Sequence, residues 1–293
     1  MPTSHVGSDL HTILGKALDG PSITPTLLDH GPPSTRSRPR GLLDPLSLKE
    51  LYSSRLCPVF GAIRPGLTRP VDHAHNGIFG RGGRVRTILC YGDSNTWGFD
   101  PETGGRFPEE VRWPGVLRTN LGDEYRVIEE GLSGRTTVWD DPIEGVHKNG
   151  RTYLLPCLES HSPVDLVTLM LGTNDLKRRF GSSASDIAQG AAGLAEMVSR
   201  SGCGPEGGAP VVLLISPPPV AALTDMAEMF EGAGEKSRRF SEHYGRFAEQ
   251  HGCEFFDAST VIVSSDVDGI HLDAGEHRKL GEAITTRVEE IFQ

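Results

Sequence analysis

Beyond residue 83 the chain alternates short apolar runs with longer segments of helical period. The apolar runs fall at 85–91, 125–129, 165–171, 211–216 and 253–257. Val211-Val212-Leu213-Leu214-Ile215 shows the type: it is apolar throughout, as a strand covered on both faces of a parallel sheet must be. Helical segments are predicted at 113–121, 151–160, 184–200 and 235–251, and a last one at 274–292 closes the chain. Strands alternating with helices predict an α/β fold, a three-layer α/β/α sandwich around a five-stranded parallel sheet. Right-handed crossovers then bring every loop that follows a strand to one rim of that sheet. Gly/Pro-rich residues 201–210 read as a surface loop, and Pro217-Pro218-Pro219 ends a strand.

Residues 1–83 break this pattern. Ten of the 21 prolines lie there, and Arg36, Arg38 and Arg40 alternate through a Ser/Pro context. The segment carries nine Lys and Arg against six Asp and Glu, whereas the whole chain has a net charge of −10. Without a sustained apolar period it reads as an N-terminal extension, disordered or loosely packed, preceding a domain at 84–293. Residues 10–14 and 46–51 are candidate short helices. His73 and His75 have metal-ligand spacing but no third ligand in view, which favours surface histidines.

The negative net charge argues against nucleic acid as a partner, because phosphate binding calls for a basic face. No run approaches the roughly 18 apolar residues of a membrane span, and the N-terminus lacks a signal-peptide pattern, so the expected location is cytoplasmic. The five cysteines are scattered without a Cys-x-x-Cys pair, which fits reduced thiols rather than disulfides or zinc. No cofactor and no metal is expected.

The chemistry concentrates at the predicted strand ends. Gly92-Asp93-Ser94-Asn95 follows the first strand as a turn, and it would hold Ser94 at the carboxyl edge, where open α/β sheets bind ligands. Gly131–Thr137 follows the second strand and Gly172–Asp175 the third, while Asp268–Leu272 precedes the last helix. Ser94 supplies a nucleophile and His271 a base, and Asp268, three residues earlier, can orient that base. The N–H groups of Ser94 and Gly134 and the amide of Asn174 are candidate donors to an oxyanion.

These blocks, Gly92-Asp93-Ser94-Asn95, Gly131-Leu132-Ser133-Gly134-Arg135-Thr136, Gly172-Thr173-Asn174-Asp175 and Asp268-Gly269-Ile270-His271-Leu272, resemble those of the SGNH (GDSL-type) serine hydrolases, in the same order. The four family letters map to Ser94, Gly134, Asn174 and His271. Ile128-Glu129-Glu130-Gly131 and Ser216-Pro217-Pro218-Pro219 are similar to the bacterial arylesterase/acyltransferase branch. The resemblance implies a flavodoxin-like sheet and a serine esterase that cleaves short acyl esters through an acyl-enzyme, with an alcohol replacing water in a transferase variant. A carbohydrate acetyl esterase with the same triad is the alternative. The acyltransferase relatives assemble, which is the sole ground for expecting a homo-oligomer. Asn95 departs from the Leu of the family name, and residues 1–83 lie outside the resemblance.

Competing assignments are weaker. Ser133 sits in a near copy of the Gly-x-Ser-x-Gly elbow, but Arg135 replaces its last glycine. His277, beside Arg278 and Lys279, reads as a solvated helix face, and so does the cluster Lys177, Arg178 and Arg179. Asp93 and Asp175 read as loop braces. Asp140, Asp141 and His147 form a remote metal alternative. Trp97, Phe99, Trp139 and Ile270 are candidate walls of a small acyl pocket. A phosphate-binding flavodoxin-like module without chemistry would leave Asp268, His271 and Asn174 unexplained.

Overall fold

The five apolar runs form β1 (Arg86–Gly92), β2 (Tyr125–Gly131), β3 (Leu166–Met170), β4 (Val211–Ser216) and β5 (Glu254–Asp257). The computed structural model describes residues 84–293, so the N-terminal extension, its candidate short helices and His73 and His75 lie outside the described residues. All neighbouring strands are parallel, in the order β2-β1-β3-β4-β5. The order turns back between β1 and β3, so the crevice beyond their carboxyl ends is where such a sheet receives a ligand.

Alternate residues of each strand feed two cores. Ile88, Cys90, Leu166, Leu213 and Ile215 pack under α2 (Trp113–Leu121) and α7 (Ala274–Phe292), which contribute Trp113, Leu117, Leu280 and Ile284. On the other face Leu89, Tyr91, Val167, Leu169 and Leu214 meet α3 (Gly150–His161), α4 (Ala184–Ser199) and α6 (Phe240–His251). The three-layer α/β/α prediction therefore holds. Helix starts follow local chemistry: Ser183 and Asp186 form a reciprocal capping box on α4, and Asp273 caps α7. Among the described residues no helix is long and apolar enough to cross a membrane.

One predicted helix is broken. The segment 235–251 divides into α5 (Ala233–Ser237) and α6, with Arg239 between them at φ −98°, ψ 0°. Ser237 is pulled toward the β4 exit loop, where its hydroxyl accepts the Val220 N–H at 3.1 Å, while Phe240 begins the run that packs on the sheet. Successive turns answer to different partners, and no Gly or Pro marks the join.

β1 and β2 end in glycines paired in register, Gly92 with Gly131. Against them lies a single helical turn, α1 (Ser94–Trp97). A Cβ on Gly131 would stand 2.1 Å from the Trp97 backbone nitrogen, and one on Gly92 would stand 2.0 Å from Thr96 Oγ1. Only glycines let the turn dock so closely. Gly131→Ala is therefore expected to displace it and cost about 1–3 kcal/mol of stability, as overpacking does. Thermal unfolding measures this, with Gly193→Ala, where nothing lies within 4 Å of the added carbon, as the neutral-to-stabilising control.

Candidate active site

The turn after β1 is braced by its own side chains. Asp93 Oδ1 accepts the Asn95 N–H at 3.0 Å, and Gly98 closes the turn in the left-handed region at φ 87°. Ser94 Oγ then stands 2.9 Å from His271 Nε2, across 177 positions of sequence. His271 Nδ1 is 2.6 Å from Asp268 Oδ2. The other Asp268 oxygen accepts the N–H groups of Ile270 and His271 at 2.8 and 2.9 Å. Burial alone would raise the Asp268 carboxyl, but the His271 side chain and these two N–H groups hold it below its ordinary value. An anionic Asp268 accepts a hydrogen bond from Nδ1–H and so fixes the tautomer, which leaves Nε2 free to accept from the serine hydroxyl.

The sequence reading missed what joins these two loops. The Asn95 side chain donates to Ile270 O at 3.3 Å and accepts the Leu272 N–H at 3.1 Å, bracketing His271 from both sides. Asn95 is buried, so both halves of its amide need partners, and the His271 loop supplies them.

Three candidate donors share the cavity with the hydroxyl. Among the described residues, neither the Ser94 nor the Gly134 N–H has a protein acceptor. Gly134 lies at φ 82° on the loop after β2. Asn174 Nδ2 donates to Arg135 O at 3.1 Å; its 3.5 Å approach to Asp93 is too long to engage its second hydrogen. Arg135 steadies this loop: its buried guanidinium donates to Gly92 O at 2.8 Å and also to Glu130 O, with its carbon 4.1 Å from the Tyr91 ring centroid. Asp175 accepts the Thr137 N–H and hydroxyl, linking the loops after β2 and β3. Burial pushes the Asp175 carboxyl from 3.8 up to about 7, and burial likewise pushes Asp93 to about 6.

Ser94, Gly134, Asn174, Asp268 and His271 all line one cavity of about 410 Å³. Phe99 and Ile270 also line it, and the Phe99 ring lies 4.2 Å from that of His271. Met226, Met229 and Phe230 complete the apolar wall. Trp97 and Trp139, candidates from sequence, lie outside it. Trp97 ends the α1 turn with Arg106 packed over its ring at 4.9 Å, and Trp139 is carried to an outer cleft beside Asp186 and Gln189 of α4.

A family model of GDSL-like lipases and acylhydrolases matches residues 90–279. The chain belongs to this family. A carbohydrate acetylesterase from Sinorhizobium meliloti, Est24, is 43% identical, with 70% of this chain and 99% of that one covered at a TM-score of 0.68. The M. smegmatis aryl esterase is 44% identical, with coverage of 70% and 99% and a TM-score of 0.67. A second carbohydrate acetylesterase family member from Sinorhizobium meliloti is 38% identical, with coverage of 70% and 98% and a TM-score of 0.67. A search of curated proteins found no match. As an SGNH hydrolase the chain is a carboxylic ester hydrolase.

Three titratable groups differ from their sequence reading. His277 is not on a solvated face but fully buried, accepting the Trp113 N–H at 3.3 Å. Burial lowers its imidazole to about 4, and its place where α7 meets α2 removes it from the reaction. Lys177 is buried as well, because short 3-10 turns on either side of it fold the segment back onto loop 141–145. It pairs with Glu144, whose carboxylate lies against Gly134, while Arg179 reaches both Glu144 at 2.6 Å and Asp141 at 2.7 Å. Arg178 is exposed as expected. Asp141 is consumed by Arg179 and by the N–H groups of Ile143 and Glu144, and His147 lines a separate cleft, so the metal alternative with Asp140 does not assemble. Ser133 lines the cavity, with its carbonyl accepting Lys148 Nζ at 2.7 Å.

Two outcomes are expected. Asn95→Ala frees the His271 loop and lowers kcat by up to about a hundredfold, the scale of a misplaced reacting group, with KM little changed in steady-state assays. Between its ordinary 3.8 and about 7, folded Asp175 retains a proton that the unfolded chain has released, so the wild type loses stability as pH rises through that interval. Asp175→Asn lacks this titration, and its stability deficit narrows from about pH 4 to about pH 7 in paired thermal melts.

Proposed function

We propose that the chain hydrolyses short-chain acyl esters of acetyl type through an acyl-enzyme on Ser94. The observation that carries this is the unbroken Ser94–His271–Asp268 hydrogen-bonded line opening onto a cavity of about 410 Å³. Ser94 Oγ attacks the ester carbonyl as His271 Nε2 takes its proton, and Asp268 stabilises the resulting imidazolium. The carbonyl oxygen, now an anion, turns toward the N–H groups of Ser94 and Gly134 and the free hydrogen of Asn174; losing one such donor typically costs about 3 kcal/mol of barrier. His271 passes its proton to the leaving alcohol, and the acyl group stays on Ser94. Water attacks next with His271 again as base, and an alcohol in the same place makes the reaction an acyl transfer.

Phe99 and Ile270 crowd the His271 side of the cavity, which favours a small acyl group there and leaves the methionine-lined side for the alcohol portion. A second reading makes the substrate an acetylated sugar. It is supported by the polar groups on the same cavity, Ser133, Glu144, Lys177 and Asp225, which can meet sugar hydroxyls, and by the likeness to Est24.

The test is a panel of p-nitrophenyl acetate, butyrate and octanoate set beside acetylated xylose and cellobiose. Acetate is expected to turn over fastest, and Ser94→Ala to lose activity on every substrate while its circular dichroism is unchanged. Preference for octanoate would overturn the acyl-size assignment. Retained turnover by folded Ser94→Ala protein would overturn the nucleophile.

A further inference from the structure

Behind the loop that carries Gly134 lies a cluster that ester chemistry does not use. Glu130 is the next-to-last residue of β2, and Cys157 and His161 stand one turn apart on α3. A carboxylate oxygen, the thiol sulfur and an imidazole nitrogen from these three residues all lie within 4.8 Å of one another. His161 Nε2 is 3.1 Å from Glu130 Oε1. Cys157 is buried, whereas the Glu130 and His161 side chains are 20% and 23% exposed. The cluster is thus walled by protein on the sulfur side and reachable from the other.

We propose that Glu130, Cys157 and His161 form a binding site for a divalent ion of the zinc class. Oxygen, nitrogen and sulfur donors together are the set that zinc accepts, at bond lengths of about 2.0–2.3 Å. Tetrahedral bonds of that length put ligand atoms roughly 3.3–3.6 Å apart, so the cluster needs only a contraction of about an ångström. Its frame is already fixed. Glu130 pairs in register with Tyr91 of β1 and its carbonyl accepts from Arg135, while the i, i+4 spacing of Cys157 and His161 puts them on one helix face.

Charge balance permits binding beside the Arg135 guanidinium, since one carboxylate and one thiolate cancel a divalent cation. Binding therefore replaces S–H by a sulfur–metal bond and releases the proton to solvent, so affinity falls in acid. Glu130 also borders a cleft of about 510 Å³ shared with Arg135, His147 and Tyr153, from which a water can supply the fourth ligand. A bound ion there would tie α3 to the end of β2, immediately before the glycine on which the Ser94 turn rests.

Titration of metal-free full-length protein with Co²⁺ tests the site without reference to activity. The expected result is saturation at one equivalent, with a near-ultraviolet thiolate-to-cobalt charge-transfer band, intense visible bands of four-coordinate geometry, and displacement of both by Zn²⁺. Cys157→Ser should lose the charge-transfer band, and His161→Gln should lose stoichiometric binding. The part-exposed His161 variant carries the test if the buried Cys157 variant fails to fold. Absence of saturable binding, a charge-transfer band that survives Cys157→Ser, or unchanged stoichiometric binding in His161→Gln overturns the proposal.

Discussion

One buried amide holds the reaction centre together. Asn95 follows the proposed nucleophile directly, and its side chain engages the backbone on both sides of His271. A buried amide left without partners costs free energy, so the two loops are joined by the need to satisfy its donor and acceptor at once. That coupling converts a contact between side chains 177 positions apart into a local matter of two hydrogen bonds. Asp268 extends the same logic, since one of its oxygens fixes the loop backbone while the other meets the imidazole.

The sheet supplies the rest of the alignment. Parallel strands deliver the loops after β1, β2 and β3 to a common edge, and the paired glycines at Gly92 and Gly131 let the Ser94 turn lie flush on it. Charged groups beneath and beside this edge are matched rather than exposed. Arg135 rests on carbonyls and an aromatic ring, and Lys177 and Arg179 face Asp141 and Glu144. Burial of Asp93 and Asp175 favours their neutral forms, which limits the negative charge next to a site where a further negative charge must develop.

The layered architecture was legible in the sequence because it rests on short-range pattern. Uninterrupted apolar runs mark strands buried on both faces, and α2 and α7 start and end where their periodicity does. Residues around the site were legible as blocks because Gly, Asp, Ser and Asn cluster where turns must form. What stayed hidden depends on distant partners. Nothing local distinguishes a buried His277 from a solvated one; its packing against α2 decides the matter. Lys177 and Arg179 look solvated until the acidic loop at 141–144 pairs with them. Asn95 looked like a departure from a family letter, and its role exists only once the His271 loop is in place. The two tryptophans are near the site in sequence only: Trp97 packs under Arg106, and Trp139 borders an outer cleft.

The methionines in the cavity wall have a chemical consequence of their own. Met226 and Met229 present unbranched, polarizable thioethers, side chains that adapt their packing to differently shaped neighbours. Met229 is 39% exposed, so this side chain is open to solvent oxidants. Conversion to the sulfoxide would set a strong dipole into an oily wall and weaken substrate capture while Ser94 and His271 remain chemically intact. Adaptable packing and an oxidisable sulfur are thus two faces of one side-chain choice.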